Sequence, residues 1–235
     1  MPLFILVALF TSACSVLSAQ TAIDPQAIIH EYVAASSAQQ DRLQGASMEV
    51  EINAEVPKLH ESARMLALRR ISKIGRITYE VLRFEGDRRI KNDVIARYLT
   101  AESEAQKTEP ASLAVTPVNY KFKFTGLVDR EGRNVYVFRV SPRKKRTGLY
   151  VGELWLDPST HLPVRESGRL VKNPSIFVSR IEFVRDYQIV DGVALPRRIE
   201  TSVSTRLVGK ATLSIAFSSV SLAAQTEVAR SGGSQ

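Results

Sequence analysis

Three histidines, His30, His60 and His161, are the first residues to test for chemistry in this 235-residue chain. His30-Glu31 and His60-Glu61 each begin an H-E-x-x-H pattern, which would put two imidazoles on one helix face around zinc with the Glu as base. The second histidine would fall at Ala34 or Arg64, so neither candidate stands. A strained nucleophile elbow needs G-x-S-x-G, and Gly45-Ala46-Ser47-Met48-Glu49 lacks the closing glycine. No phosphate-cradling G-x-x-x-x-G-K-S/T and no dinucleotide G-x-G-x-x-G occurs. Asp157 and Asp191 could serve as carboxylate catalysts. Both stand in turn contexts, Asp157-Pro158-Ser159-Thr160 and Asp191-Gly192, where Asp caps its own backbone. Catalytic residues, metal ligands and cofactors are therefore not nominated, and the expectation is a protein that is not an enzyme.

Thiol chemistry is limited by the start of the chain. No charged residue precedes Asp24, and Leu3 to Phe10 is unbroken apolar sequence. Small residues follow, ending in Leu17-Ser18-Ala19-Gln20. This predicts a secretory signal over residues 1–19, cleaved after Ala19. A spanning helix would need about 20 apolar residues, and Thr11, Ser12, Cys14 and Ser15 interrupt the run too early. The single cysteine, Cys14, would leave with the signal, taking disulfides and cysteine-ligated metals with it. The alternative makes Thr11-Ser12-Ala13-Cys14 a lipoprotein box with a lipid on Cys14, although Thr11 stands where such boxes usually carry Leu. Either route predicts export to the periplasm, free or membrane-anchored, and away from nucleic acid.

Charge points to an anionic surface without identifying one. Lys and Arg number 32 against 24 acidic residues, a formal +8, and all but ten of the 32 are Arg. The densest run is Arg143-Lys144-Lys145-Arg146, a hairpin loop after Ser141-Pro142. Solvation alone explains such a loop; beside a groove, four cations could also hold anionic headgroups or an acidic protein surface. Hydrophobic residues are 44% of the chain and charged ones 24%, an ordinary globular balance that excludes coiled-coil, collagen-like and wholly disordered classes.

The elements that must position any site are mostly strands. Asp24-Pro25 is a helix start, with an N-cap acceptor before Pro at the first position. Ile28, Ile29, Tyr32 and Val33 share one face up to about Arg42. After Gly45 the period changes to two. Met48, Val50, Ile52, Ala54 and Val56 alternate with polar residues; so do Tyr120, Phe122 and Phe124, then Phe177, Ile181, Phe183 and Tyr187, then Ile199, Val203 and Leu207, and finally Leu213, Ile215 and Phe217. Glu85-Gly86-Asp87, Glu131-Gly132-Arg133, Asp191-Gly192 and Gly209-Lys210 are turns. Short turns make the strands antiparallel neighbours. Residues 101–117 lack strand alternation and predict a short helix plus loop, broken at Pro110 and Pro117. Residues 20–222 then form one domain, and 223–235 a frayed tail.

A long antiparallel sheet curls, and its apolar face must be covered. One helix and one short insertion cover part of it. The remainder would be an apolar groove of the kind that marks a binding surface, with Val50, Ile52, Phe122, Phe124, Ile181 and Phe183 as its candidate lining by strand parity. Each could equally be core, and the sheet could instead close into a filled barrel. Trp155, between Leu154 and Leu156, is placed under the N-terminal helix.

Two blocks resemble a known family. Gly152-Glu153-Leu154-Trp155-Leu156-Asp157-Pro158, continued by Leu162-Pro163-Val164-Arg165, is similar to a hairpin of the lipoprotein-carrier-like proteins of the bacterial cell envelope. Tyr187-Gln188-Ile189-Val190-Asp191-Gly192-Val193-Ala194-Leu195-Pro196 resembles their second block, and together the two span about Val135 to Leu207. The resemblance, to the LolA/LolB-type superfamily, implies an α+β fold: a single curved antiparallel sheet, an open half-barrel, with an N-terminal helix and a short helical insertion on its concave side. It implies a groove for lipid acyl chains or a lipidated protein. The superfamily also holds stress-sensing regulators, so an envelope protein-interaction module is the alternative, and an envelope hydrolase a third. No carrier-specific residue matches a position here. Ligand, partner and oligomeric state stay open.

Overall fold

In the computed structural model, residues 23–107, 110–173, 178–205 and 209–222 are described. The predicted signal, Cys14, Phe177, Leu207 and the predicted tail lie outside the described residues.

The first helix forms where its capping chemistry places it. Asp24 Oδ1 accepts the Gln26 backbone N–H at 2.9 Å, Pro25 takes the first position, and α1 runs Pro25–Arg42. Its apolar stripe, Ile28, Ile29 and Tyr32, is buried. Ten strands follow: β1 (Ser47–Val56), β2 (Glu61–Ile71), β3 (Ile77–Gly86), β4 (Tyr120–Arg130), β5 (Arg133–Pro142), β6 (Tyr150–Leu156), β7 (Pro163–Leu170), β8 (Val178–Val190), β9 (Val193–Thr205) and β10 (Lys210–Ser221). They make one sheet in the order β3-β2-β1-β10-β9-β8-β7-β6-β5-β4, every pair antiparallel. β3 and β4 are edges that do not pair, so the sheet is an open half-barrel, as expected. Glu131-Gly132 and Asp191-Gly192 have positive φ at both residues (56° and 78°; 51° and 70°), the two-residue turn that matches strand twist.

The insertion begins earlier than the expected residue 101. After β3 the chain forms α2 (Arg88–Ile90), a π-helical stretch Lys91–Ala96, α3 (Arg97–Lys107) and α4 (Pro110–Leu113). Asp87 starts it by accepting the N–H groups of Arg89 and Ile90. Ile90, Val94, Ile95, Tyr98 and Leu99 then face the sheet. These five residues keep helical i, i+3 and i+4 steps, so the face was present in the sequence. Arg69 on β2 fastens the insertion: it donates to Glu102 of α3 at 2.9 Å and to the Tyr79 hydroxyl at 3.2 Å, while Tyr79 also bonds Glu102.

Register partners point to the same side of a sheet. One rung can therefore be followed across all ten strands: Phe84, Met65, Ile52, Ile215, Ile199, Arg185, Glu166, Leu154, Phe138 and Phe124. The insertion covers one end of this face, with Met48, Val50, Ile52, Met65, Leu213 and Ile215 beneath it. α1 covers the other, over Tyr120, Phe138, Val140, Tyr150, Leu154 and Phe183. Both covers thus lie on one inner face, over two separate apolar clusters.

Trp155 is not under α1, a correction to the sequence expectation. Leu154 and Leu156 take the buried positions of β6, so alternation turns Trp155 outward. There its indole N–H donates to Glu153 at 3.0 Å, and the guanidinium groups of Arg130 and Arg165 stand over its ring. Asp186 holds both arginines at 2.8 Å. Gly152, the first residue of the family-like block, has a steric reason to be glycine. A Cβ there would lie 1.9 Å from the Ser167 carbonyl oxygen and 2.6 Å from the Gly168 Cα.

Candidate functional site

The inner rung is apolar at its two ends and charged at its centre. Glu166 on β7 and Arg185 on β8 are direct register partners, with Arg185 donating to Glu166 Oε2 at 3.3 Å. Taking a carboxylate and a guanidinium from water is expensive even when they pair. Their exposure is unequal. The Glu166 side chain is 10% exposed and the Arg185 side chain 42%, so what the open space meets is the Arg185 side chain. Arg185 also lies over the Phe183 ring at 4.6 Å.

Tyrosines from several elements close around the pair. Tyr32 of α1, Tyr120 of β4, Tyr150 of β6 and Tyr187 of β8 all feel the Glu166 charge. Tyr98 of the insertion lies within reach of Arg185. Burial first, then Glu166, raises the Tyr150 and Tyr187 hydroxyls well above the ordinary range; burial is also the main cause at Tyr120, pushed up to about 12. Tyr98 is pushed up to about 12 by burial and by Glu102. Burial opposes the Arg185 charge, but its surroundings, with the ionised Glu166 among them, outweigh it and the net shift is upward. The cluster is therefore a fixed guanidinium among neutral hydroxyls. The Tyr150 hydroxyl is fully buried and has no hydrogen-bond partner, which is uncommon for such a group. Its ring packs edge-on against Phe183 at 4.9 Å.

Between the two covers, β8 and β9 present a strip that neither cluster closes. Ile181, Arg185, Tyr187, Thr201 and Val203 are all half-buried there, and Ile199 at its border packs against the insertion cluster. Two surface clefts, of about 340 Å³ at the β8–β9 turn and about 590 Å³ over Gly152 and Gly168, lie elsewhere and include neither Arg185 nor Glu166.

The six lining candidates are distributed over this face. Val50 and Ile52 are buried under the insertion, at 0% and 1% exposure. Phe122, Phe124 and Phe183 join the α1 cluster, Phe183 buried and the other two half-buried. Ile181 belongs to neither cluster and lies on the open strip. The Arg143–Arg146 loop is exposed at the β5–β6 end of the sheet, beside the exposed Val118. Arg143 is held there by the Pro117 carbonyl at 2.8 Å. The histidines are not brought together: His30 pairs with its neighbour Glu31, and His161 stacks on Tyr136. Among the described residues no group of three His, Cys, Asp or Glu is arranged to hold a metal.

Sequence reasoning missed Glu166 and Arg185. The signal was present, since Arg185 has the parity of Phe183 and Tyr187 and an arginine on an apolar face breaks the pattern.

Fold and site together define a class: an open antiparallel half-barrel, two helical covers on its inner face, and an ion pair on the floor between them. No protein-family model matches the chain, and no curated protein matches it. Among solved structures it is similar to a DUF1329 family protein from Desulfovibrio piger, at 13% identity and TM-score 0.46, over 86% of this chain and 95% of that one. It is also similar to a LolA superfamily protein from Nitrosomonas europaea (13%, TM-score 0.40, 86% and 94%). A third is a domain from Vibrio parahaemolyticus named for outer membrane lipoprotein sorting (12%, TM-score 0.41, 85% and 93%). No residue role is carried from any of them.

Proposed function

We propose that this chain is an exported, non-catalytic protein of a bacterial envelope that holds acyl chains, of a lipid or a lipidated protein, on its inner face. The observation that carries this reading is the ten-strand rung, apolar at eight positions yet covered by two helical segments that leave β8 and β9 half open. A sheet whose core is complete would cover that strip too. An acyl chain laid along it gains about 0.8 kcal/mol for each methylene buried. Ile181 already lines the strip, and movement of α1 or the insertion would add Val50, Ile52, Phe122, Phe124 and Phe183. The Arg143-Lys144-Lys145-Arg146 loop suits an anionic membrane surface or an acidic envelope protein. The mature chain begins at Gln20, or at a lipidated Cys14 if the alternative processing holds.

Titrating the purified mature chain with a fluorescent 18-carbon fatty acid tests the reading. It expects saturable binding of about one probe per chain. Flat fluorescence at every concentration overturns it. A second reading has its own observation: the edge strand β3 exposes Val81 and Leu82 at 48% and 50%, and such an edge can add a strand from a partner polypeptide. Flat probe titrations together with capture of an extended peptide along β3 would favour that interaction or sensing role.

A further inference from the structure

The Glu166–Arg185 pair is ill-suited to a purely structural task. It stands in an apolar rung, it is joined through one 3.3 Å contact and not two, and the Arg185 side chain is 42% exposed while that of Glu166 is covered. A guanidinium carries five N–H donors; Glu166 and the Tyr187 hydroxyl each take one, and the fork has more donors than these two partners use. The neighbouring Tyr150 hydroxyl is buried without a partner, a second polar group awaiting one. Apolar clusters flank this point on both sides along the sheet.

We propose that Arg185, held in position by Glu166, anchors the acidic head of an acyl-chain ligand, a carboxylate or a phosphate ester whose tail lies along β8 and β9. The proposal rests on the acyl-binding reading above and specifies its ligand: an amphiphile with an anionic head buried at mid-sheet. The covered carboxylate fixes the guanidinium without competing at the open side. Ile181 and Val203, half-buried on the same strip, accompany the first part of the tail. A neutral head would leave the free N–H donors facing hydrocarbon, which disfavours esters and alcohols of the same chain length.

The test compares a fluorescent 18-carbon fatty acid with its methyl ester, and lysophosphatidic acid with lysophosphatidylcholine as competitors. The wild-type chain is expected to bind the acid about tenfold or more tightly than the ester, a charge-assisted hydrogen bond's worth, or to be displaced more readily by lysophosphatidic acid. Whichever preference is larger identifies the head as carboxylate or phosphate. Arg185→Gln should abolish the preference. Because that variant leaves Glu166 unpaired, the Glu166→Leu/Arg185→Leu double variant serves as a folded control and should bind acid and ester equally. Equal binding of both heads by wild type, or a preference that survives in the double variant, overturns the anchor and leaves acyl binding intact. Binding of neither probe overturns the acyl-binding reading and the anchor with it.

Discussion

Glu166 and Arg185 face each other across β7 and β8 in direct register, 3.3 Å apart, at the middle of a rung whose other eight residues are apolar. Removing one partner strands the other. Glu166→Leu alone should lower stability by about 1.5 kcal/mol, less than for a fully buried pair because the stranded Arg185 side chain is 42% exposed, whereas the Glu166→Leu/Arg185→Leu double variant should be neutral or more stable than wild type. Urea denaturation of the three proteins checks this. A double variant as unstable as the single one would mean that the pair holds the sheet together.

The sheet itself predicts a second result. Gly152→Ala places a methyl group against the Ser167 carbonyl at 1.9 Å, and that neighbour is backbone that cannot rotate away. Overpacking against backbone should cost about 3 kcal/mol or more. A thermal melt within a degree of wild type would show that β6 and β7 can separate there.

The β6–β7 turn gives a pH dependence. Burial works against the Asp157 charge, but hydrogen bonds from Ser159 and Thr160 outweigh it and hold the carboxyl below its ordinary value. A lowered folded value means stability that is present above the ordinary carboxylate range and lost as pH falls through it. Asp157→Asn should lower stability at neutral pH by about 1 kcal/mol and flatten the loss below about pH 4. Melting curves at neutral and acid pH compare the two. Parallel curves would show that the turn does not sense the charge.

These sites differ in how far the sequence reveals them. Helix α1, the alternating strands and the Asp-Gly and Glu-Gly turns were legible, because each rests on local chemistry: Asp24 before Pro25, period-two alternation, positive φ at paired turn residues. The insertion's start was overlooked although its signal was there, since Ile90, Val94, Ile95, Tyr98 and Leu99 keep helical i, i+3 and i+4 steps. Trp155 was misplaced because an indole reads as core until Leu154 and Leu156 take the buried parity. The Glu166–Arg185 site was hidden for another reason. Register between strands decides which residues meet, and the pairing of position 166 with 185 is a property of the hairpin, not of either strand alone.

The basic loop yields a prediction about surfaces. Replacing Arg143, Lys144, Lys145 and Arg146 together by Gln should weaken binding to anionic vesicles. Wild-type binding should also fall with added salt, because exposed charges are screened over about 8 Å at physiological ionic strength. Co-sedimentation with vesicles measures both. Equal binding by the two proteins would make the loop a solvated hairpin.

The central claim is that the inner face holds acyl chains. Lipid extraction and mass spectrometry of the protein purified from bacterial envelopes addresses it most directly. The account predicts co-purifying acyl species with acidic heads, near one per chain, and markedly less of them on the Glu166→Leu/Arg185→Leu protein. A protein that emerges free of lipid and stays so after incubation with anionic single-chain lipids would contradict it.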